Sequence, residues 1–160
     1  WLSIVGISAQ KVHADFNTTV CAYAKTSIAL FDGFIESWAA KYVYKTVRPE
    51  TIIDKYFDAN WRPHLQTPPF PEYTCGHCTI SASAAEALTS VLGDNVAYTD
   101  TSELQFGIKN RSFKSFRDAA NETAWSRFYG GIHFHNSCVI SNKFGRIVGD
   151  SVATKLVMKK

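Results

Sequence analysis

The chain has 160 residues, a net charge of +3, 46% hydrophobic residues and 14% aromatic residues. That length suits one domain or part of one, and that composition excludes a disordered polymer. The basic residues are scattered without stacking motifs, which gives no case for nucleic acid, and no apolar run approaches the ~20 residues of a membrane span.

Trp1 to Ile7 is apolar but short, with no basic flank or cleavage site of a signal peptide. The chain opens in that apolar run without methionine, so a mature or truncated product is expected. From His13 to Lys45 the pattern is helical. Val20, Tyr23, Ala24, Ser27, Ile28, Phe31, Phe34, Ile35 and Trp38 recur at three and four residues and predict a broad core-facing stripe. Asp15 or Asn17 can cap its start. Lys41 and Arg48 lie about two turns apart at its far end, so both cations can face one side. Pro49 marks the end of that helix.

Thr51 to Phe57 reads as a short helix, and the proline-dense stretch from Asn60 to Pro69 as a loop. The loop runs into Pro71-Glu72-Tyr73-Thr74-Cys75-Gly76-His77-Cys78, where an alanine-rich helix begins and continues to Leu92. Helix starts leave backbone N–H groups without carbonyl partners at the positive end of the dipole, which suits a tetrahedral oxyanion. Gly76 lets an anion approach the backbone, and His77 is placed to trade a proton with it. Val96 to Asn110 has no clear period and reads as an excursion. Helices from Phe113 to about Phe128, capped by Ser112, and from about Val139 to Val157 complete the chain, with Gly130-Gly131 as the break between them. That break allows Arg127 and His133 to reach one point. Strand signals are nearly absent, so the expected class is all-α, a helical bundle.

Three separated clusters carry the chemistry: Lys41 with Arg48-Pro49, Gly76-His77, and Ser126-Arg127 with His133. In this order and spacing they resemble the signature of the vanadium-dependent haloperoxidase and type-2 phosphatidic acid phosphatase superfamily. The Thr67-Pro68-Pro69-Phe70-Pro71 lead-in is similar to haloperoxidase-type members. The likeness runs from about Val20 to Val157, and it implies the C-terminal portion of a larger domain. It implies that Lys41, Arg48 and Arg127 hold the oxygens of vanadate or phosphate in one small pocket, with the Gly76 amide and Cys75 beside them. It implies His77 as acid–base partner, and His133 as vanadate ligand or as nucleophile toward a phosphoryl group. The implied substrates are halide and hydrogen peroxide, or a phosphate ester. The implied partner is the N-terminal part of the same domain or a second copy of the chain.

Two positions depart from the family pattern. Cys75 stands where the family usually has serine; it is a weaker donor, and a thiol beside peroxide oxidises. Ser137 stands where the family often carries aspartate, so an orienting carboxylate for His133 is expected to be missing. A catalytically silent anion binder therefore stays open as a reading. So does dithiol exchange by Cys75-Gly76-His77-Cys78, although the βαβ context of thioredoxin-like proteins is lacking. Zinc binding by Cys75, Cys78, His77 and His135 has only one C-x-x-C spacing behind it. Structural disulfides Cys75–Cys78 or Cys21–Cys138 are further options. Three glycosylation-type triplets, starting at Asn17, Asn110 and Asn121, hint at a secreted or periplasmic protein.

Overall fold

The computed structural model describes residues 1–158. Six α-helices are present among them: α1 (Leu2–Lys11), α2 (Phe16–Tyr44), α3 (Pro49–Tyr56), α4 (Gly76–Leu92), α5 (Phe116–Tyr129) and α6 (His135–Lys155). The all-α expectation holds. Between α4 and α5 a small antiparallel hairpin pairs β1 (Tyr98–Asp100) with β2 (Arg111–Phe113), Tyr98 facing Phe113. Strands of three residues are too short to show alternation, which is why the sequence pattern missed them.

The axis of the bundle is α4. Eleven of its seventeen residues are buried, nearly all of them small. Small side chains let neighbouring helices approach closely. A Cβ on Gly33 of α2 would stand 3.2 Å from Cβ of Ser83, and Cβ atoms on Gly145 and Gly149 of α6 would collide with the backbone carbonyls of Thr79 and Ser83. Ser83 Oγ donates to the Ala29 carbonyl at 2.8 Å and ties α4 to α2.

A core cluster gathers Ile4, Val5, Leu88, Tyr98 and Phe116 near the C-terminal half of α4. The apolar start of the chain is thus a core helix, α1. Its Trp1 indole also donates to Ser81 Oγ at 3.0 Å. Asp15 caps α2, accepting from the Thr18 amide at 2.7 Å. Ser115, not Ser112, caps α5, accepting from the Asp118 amide at 3.1 Å.

The expected face of α2 is reversed. Its buried residues are Ala22, Thr26, Ala29, Gly33, Ser37 and Lys41. Phe31 is 66% exposed, Phe34, Ile35 and Val20 are also exposed, and Phe16 at its start is 81% exposed. The small-residue stripe wins the contact with α4 because it lets the two backbones come together. The large apolar stripe is left outward.

Candidate functional site

Lys41 lies in the last turn of α2. That helix ends at Lys45, which is left-handed with φ 49°. Four residues later Pro49 opens α3 rather than closing α2, its fixed φ fitting a first helical turn, and Arg48 becomes the N-cap. The chain between Lys41 and Arg48 is therefore a turn, yet both cations meet. The proline-rich strap from α3 to α4 is pinned across this turn by the Glu72 amide on the Thr46 carbonyl, 3.0 Å, and the Tyr73 amide on Thr46 Oγ1, 2.7 Å.

The strap turns its carbonyls inward onto the cations. Lys41 Nζ donates to Pro71 O at 2.9 Å, to Glu72 O at 3.0 Å and to Thr74 O. Arg48 donates from Nε to Phe70 O at 3.1 Å, and from its terminal nitrogens to Pro71 O at 3.3 Å and Ile132 O at 2.8 Å. The Phe70 ring lies 5.2 Å from each cationic group, within cation–π range. Burial pushes the Lys41 pKa down to about 8; the Arg48 charge adds to that and Glu72 opposes it.

His133 is buried between Arg48 and Glu72. Its Nε2 is 3.0 Å from an Arg48 terminal nitrogen and its Nδ1 is 2.7 Å from Glu72 Oε1. Arginine only donates, so Nε2 accepts and Nδ1 carries the proton toward the carboxylate. Glu72 Oε1 also accepts from the Phe134 amide at 3.2 Å, and Oε2 accepts from Ser137 Oγ at 2.9 Å. Burial alone would raise the Glu72 pKa. The hydrogen bond and charge of His133, then the bonds from Ser137 and Phe134, outweigh it and hold the carboxyl below its ordinary value. The expected missing carboxylate is therefore present. It arrives from the strap, and Ser137 serves it.

The third part is the start of α4. Cys75 is its N-cap, with its amide on Ser141 Oγ at 2.9 Å. Cys75 and Cys78 form a disulfide, so Cys75 offers no S–H; its sulfur instead accepts from the Cys78 amide at 3.4 Å. The Gly76 and His77 amides find no acceptor among the described residues. A Cβ on Gly76 would come within 3.0 Å of the Trp38 ring, a tight contact that the bare backbone avoids. His77 reaches the surface. Desolvation on its protein side pushes its pKa down to about 4, helped by the charges of Arg127, His133 and Lys41.

Arg127 stands in the last turn of α5, half-buried. Its Nε is buried and has no hydrogen-bond partner. Its charge lowers the pKa values of Arg48 and His77, so it belongs to the same neighbourhood. The turn to His133 passes through Gly131 at φ +76°, a left-handed conformation packed against Trp61 and Pro63.

Lys41, Arg48 and His133 are thus in one buried cluster, with Arg127, Gly76 and His77 around it. Within the cluster Lys41 and Arg48 are turned onto strap carbonyls, and His77 keeps it in contact with the surface. Lys41 and Arg48 share the charge of a single carboxylate, Glu72, while Arg127 has no acidic partner among the described residues. The orphaned Arg127 Nε, the free α4 amides and this surplus of positive charge all fit a tetrahedral oxyanion. Sequence reasoning missed Glu72 and Phe70; the only available signal was an acidic and an aromatic residue inside a proline-rich loop that leads into a helix.

Other sulfur readings are corrected by the same geometry. Cys21 and Cys138 are both free thiols. The sulfurs of Cys75, Cys78 and Cys138 lie within 4.8 Å of one another, without His77 or His135 in the group, and two of them are already bonded together. Both disulfide cysteines are fully buried, and no βαβ unit surrounds them among the described residues.

A family model described as the VCPO second helical-bundle domain matches residues 22–159. The chain belongs to the vanadium-dependent haloperoxidase family. Its structure is similar to that of a bacterial vanadium-dependent iodoperoxidase, with TM-score 0.95 and 47% identity, over 99% of this chain and 38% of that one. It shares the fold of a bacterial vanadium-dependent chloroperoxidase in its holo form, with TM-score 0.78 and 22% identity, over 96% of this chain and 39% of that one. The apo form of such a chloroperoxidase gives TM-score 0.73 and 22% identity, over 86% and 36% of the two chains. No curated protein sequence matches. This haloperoxidase-family chain therefore spans well under half the length of the solved relatives it matches.

Proposed function

We propose that this chain holds vanadate and, within the whole protein, supports oxidation of halide by hydrogen peroxide. The observation that carries the reading is the His133 Nε2 lone pair, aimed at Arg48 inside a cation cluster that only one carboxylate balances. Lys41, Arg48 and Arg127 would neutralise the oxyanion, with bidentate donation available from the guanidinium groups. Lys41 and Arg48 would exchange strap carbonyls for its oxygens. The Gly76 amide would donate from the α4 terminus, and His133 Nε2 would be the vanadium ligand. His77 is neutral near pH 7 without ligand; an adjacent anion raises its pKa and lets it pass a proton. Vanadate, when bound, supplies the activation of peroxide toward halide. The Cys75–Cys78 disulfide supports the reading, since it leaves no thiol at that position for peroxide to attack.

The outward apolar face of α2 supports a covering partner, either the remaining part of the same polypeptide or a second copy. The disulfide suits a secreted or periplasmic setting. The likeness to an iodoperoxidase makes iodide the first halide to assay. Peroxide-dependent iodide oxidation that appears only with added vanadate supports the proposal. Hydrolysis of p-nitrophenyl phosphate that vanadate abolishes replaces it with phosphomonoester hydrolysis through His133. Phosphate binding with neither activity replaces it with a silent oxyanion binder.

A further inference from the structure

Glu72 comes from the strap, 61 residues before His133, and the family-type position for such a carboxylate is filled by Ser137. It is 1% exposed and accepts three hydrogen bonds, two from the chain segment that carries His133 and one from the His133 ring itself. No comparable carboxylate pairs with Lys41, Arg48 or Arg127 among the described residues. Its other oxygen faces Ser137, which holds the carboxylate plane against the imidazole. The backbone of Glu72 contributes as well: its carbonyl accepts from Lys41 and its amide is on Thr46. One residue therefore links the α2–α3 turn, the lysine and the histidine.

We propose that Glu72 is the positioning residue of His133, relocated into the strap, and that its charge favours vanadate over phosphate at this site. This rests on the vanadate reading above. The physical ground is that the two anions use His133 differently. Vanadium readily accepts a nitrogen lone pair and becomes five-coordinate, whereas ground-state phosphate takes no such bond. A carboxylate on Nδ1–H makes Nε2 a better electron donor, which strengthens only the bond to vanadium. The same negative charge repels both anions alike. Glu72 thus weakens general anion binding and strengthens vanadate binding selectively.

Glu72→Gln keeps the side-chain shape and an acceptor for Nδ1–H while removing the charge. Calorimetry with inorganic phosphate and with vanadate, and proton NMR of the His133 Nδ1–H in ligand-free protein, test the proposal on the same variant. The expected result is a loss of vanadate affinity of about 10–100-fold with phosphate affinity unchanged or tighter. The Nδ1–H resonance should move upfield, because its charged acceptor is replaced by a neutral one. An equal change in both affinities, or an unmoved Nδ1–H resonance, overturns the positioning role. If the unmodified protein binds neither anion, the vanadate reading and the selectivity fall together, and the Nδ1–H resonance still decides whether the Glu72 charge acts on the ring.

Discussion

At the residue scale, a lysine with no exposure and a pKa near 8 defines how the site responds to pH. Below that value Lys41 is an ammonium and attracts an oxyanion; above it the charge is lost. Phosphate affinity should therefore fall as pH rises through about 8, and Lys41→Gln should remove that step while lowering affinity at neutral pH. Calorimetry across that range checks both. Arg127 has a buried Nε without a partner, so its charge-assisted bonds are open to a ligand. Arg127→Gln should cost about 1.5–3 kcal/mol of phosphate binding, roughly 10–100-fold in affinity, with the fold unchanged by circular dichroism. The cationic residues and both histidines were singled out by the resemblance of three clusters to a known signature, each falling at a helix end or a glycine break, and the structure brings those clusters together. Glu72 was not. Its role depends on the strap lying back over Thr46 and His133, and no local pattern encodes that contact between distant segments.

At the scale of elements, the helices were legible wherever apolar spacing persisted, and their ends were not. Pro49 was read as a stop and is a start, because proline serves the first turn of a helix as readily as it ends one. The α2 stripe was read inside and is outside. Large apolar residues suggest a core, but α4 offers a surface of alanine, serine and threonine that accepts only small neighbours. The same packing rule gives a stability prediction. Gly149→Ala forces a methyl group into the Ser83 carbonyl and should cost about 1–3 kcal/mol, enough to lower Tm by about 2–4 °C for each kcal/mol in calorimetric scans.

At the scale of the whole molecule, α4 presents its N-terminus to the cluster and packs most of its remaining length against α2, α5 and α6. The bundle therefore brings three distant chain segments to one end. The opposite consequence is the apolar outer face of α2, which runs through Val20, Phe31 and Ile35. Such a face exposed in water drives association. The chain should show concentration-dependent self-association in sedimentation velocity, reduced when Phe31→Glu and Ile35→Glu are combined. The same argument expects halide oxidation to need the partner that covers this face, with anion binding retained without it.

Vanadium NMR of vanadate added to the protein reads the heart of the account most directly. The proposed vanadate site predicts a distinct bound resonance, displaced by excess phosphate and absent in His133→Ala, since in that proposal the imidazole nitrogen and the three cations hold one oxyanion together. A spectrum that shows only free vanadate, or a bound signal that persists unchanged without the imidazole, would contradict it.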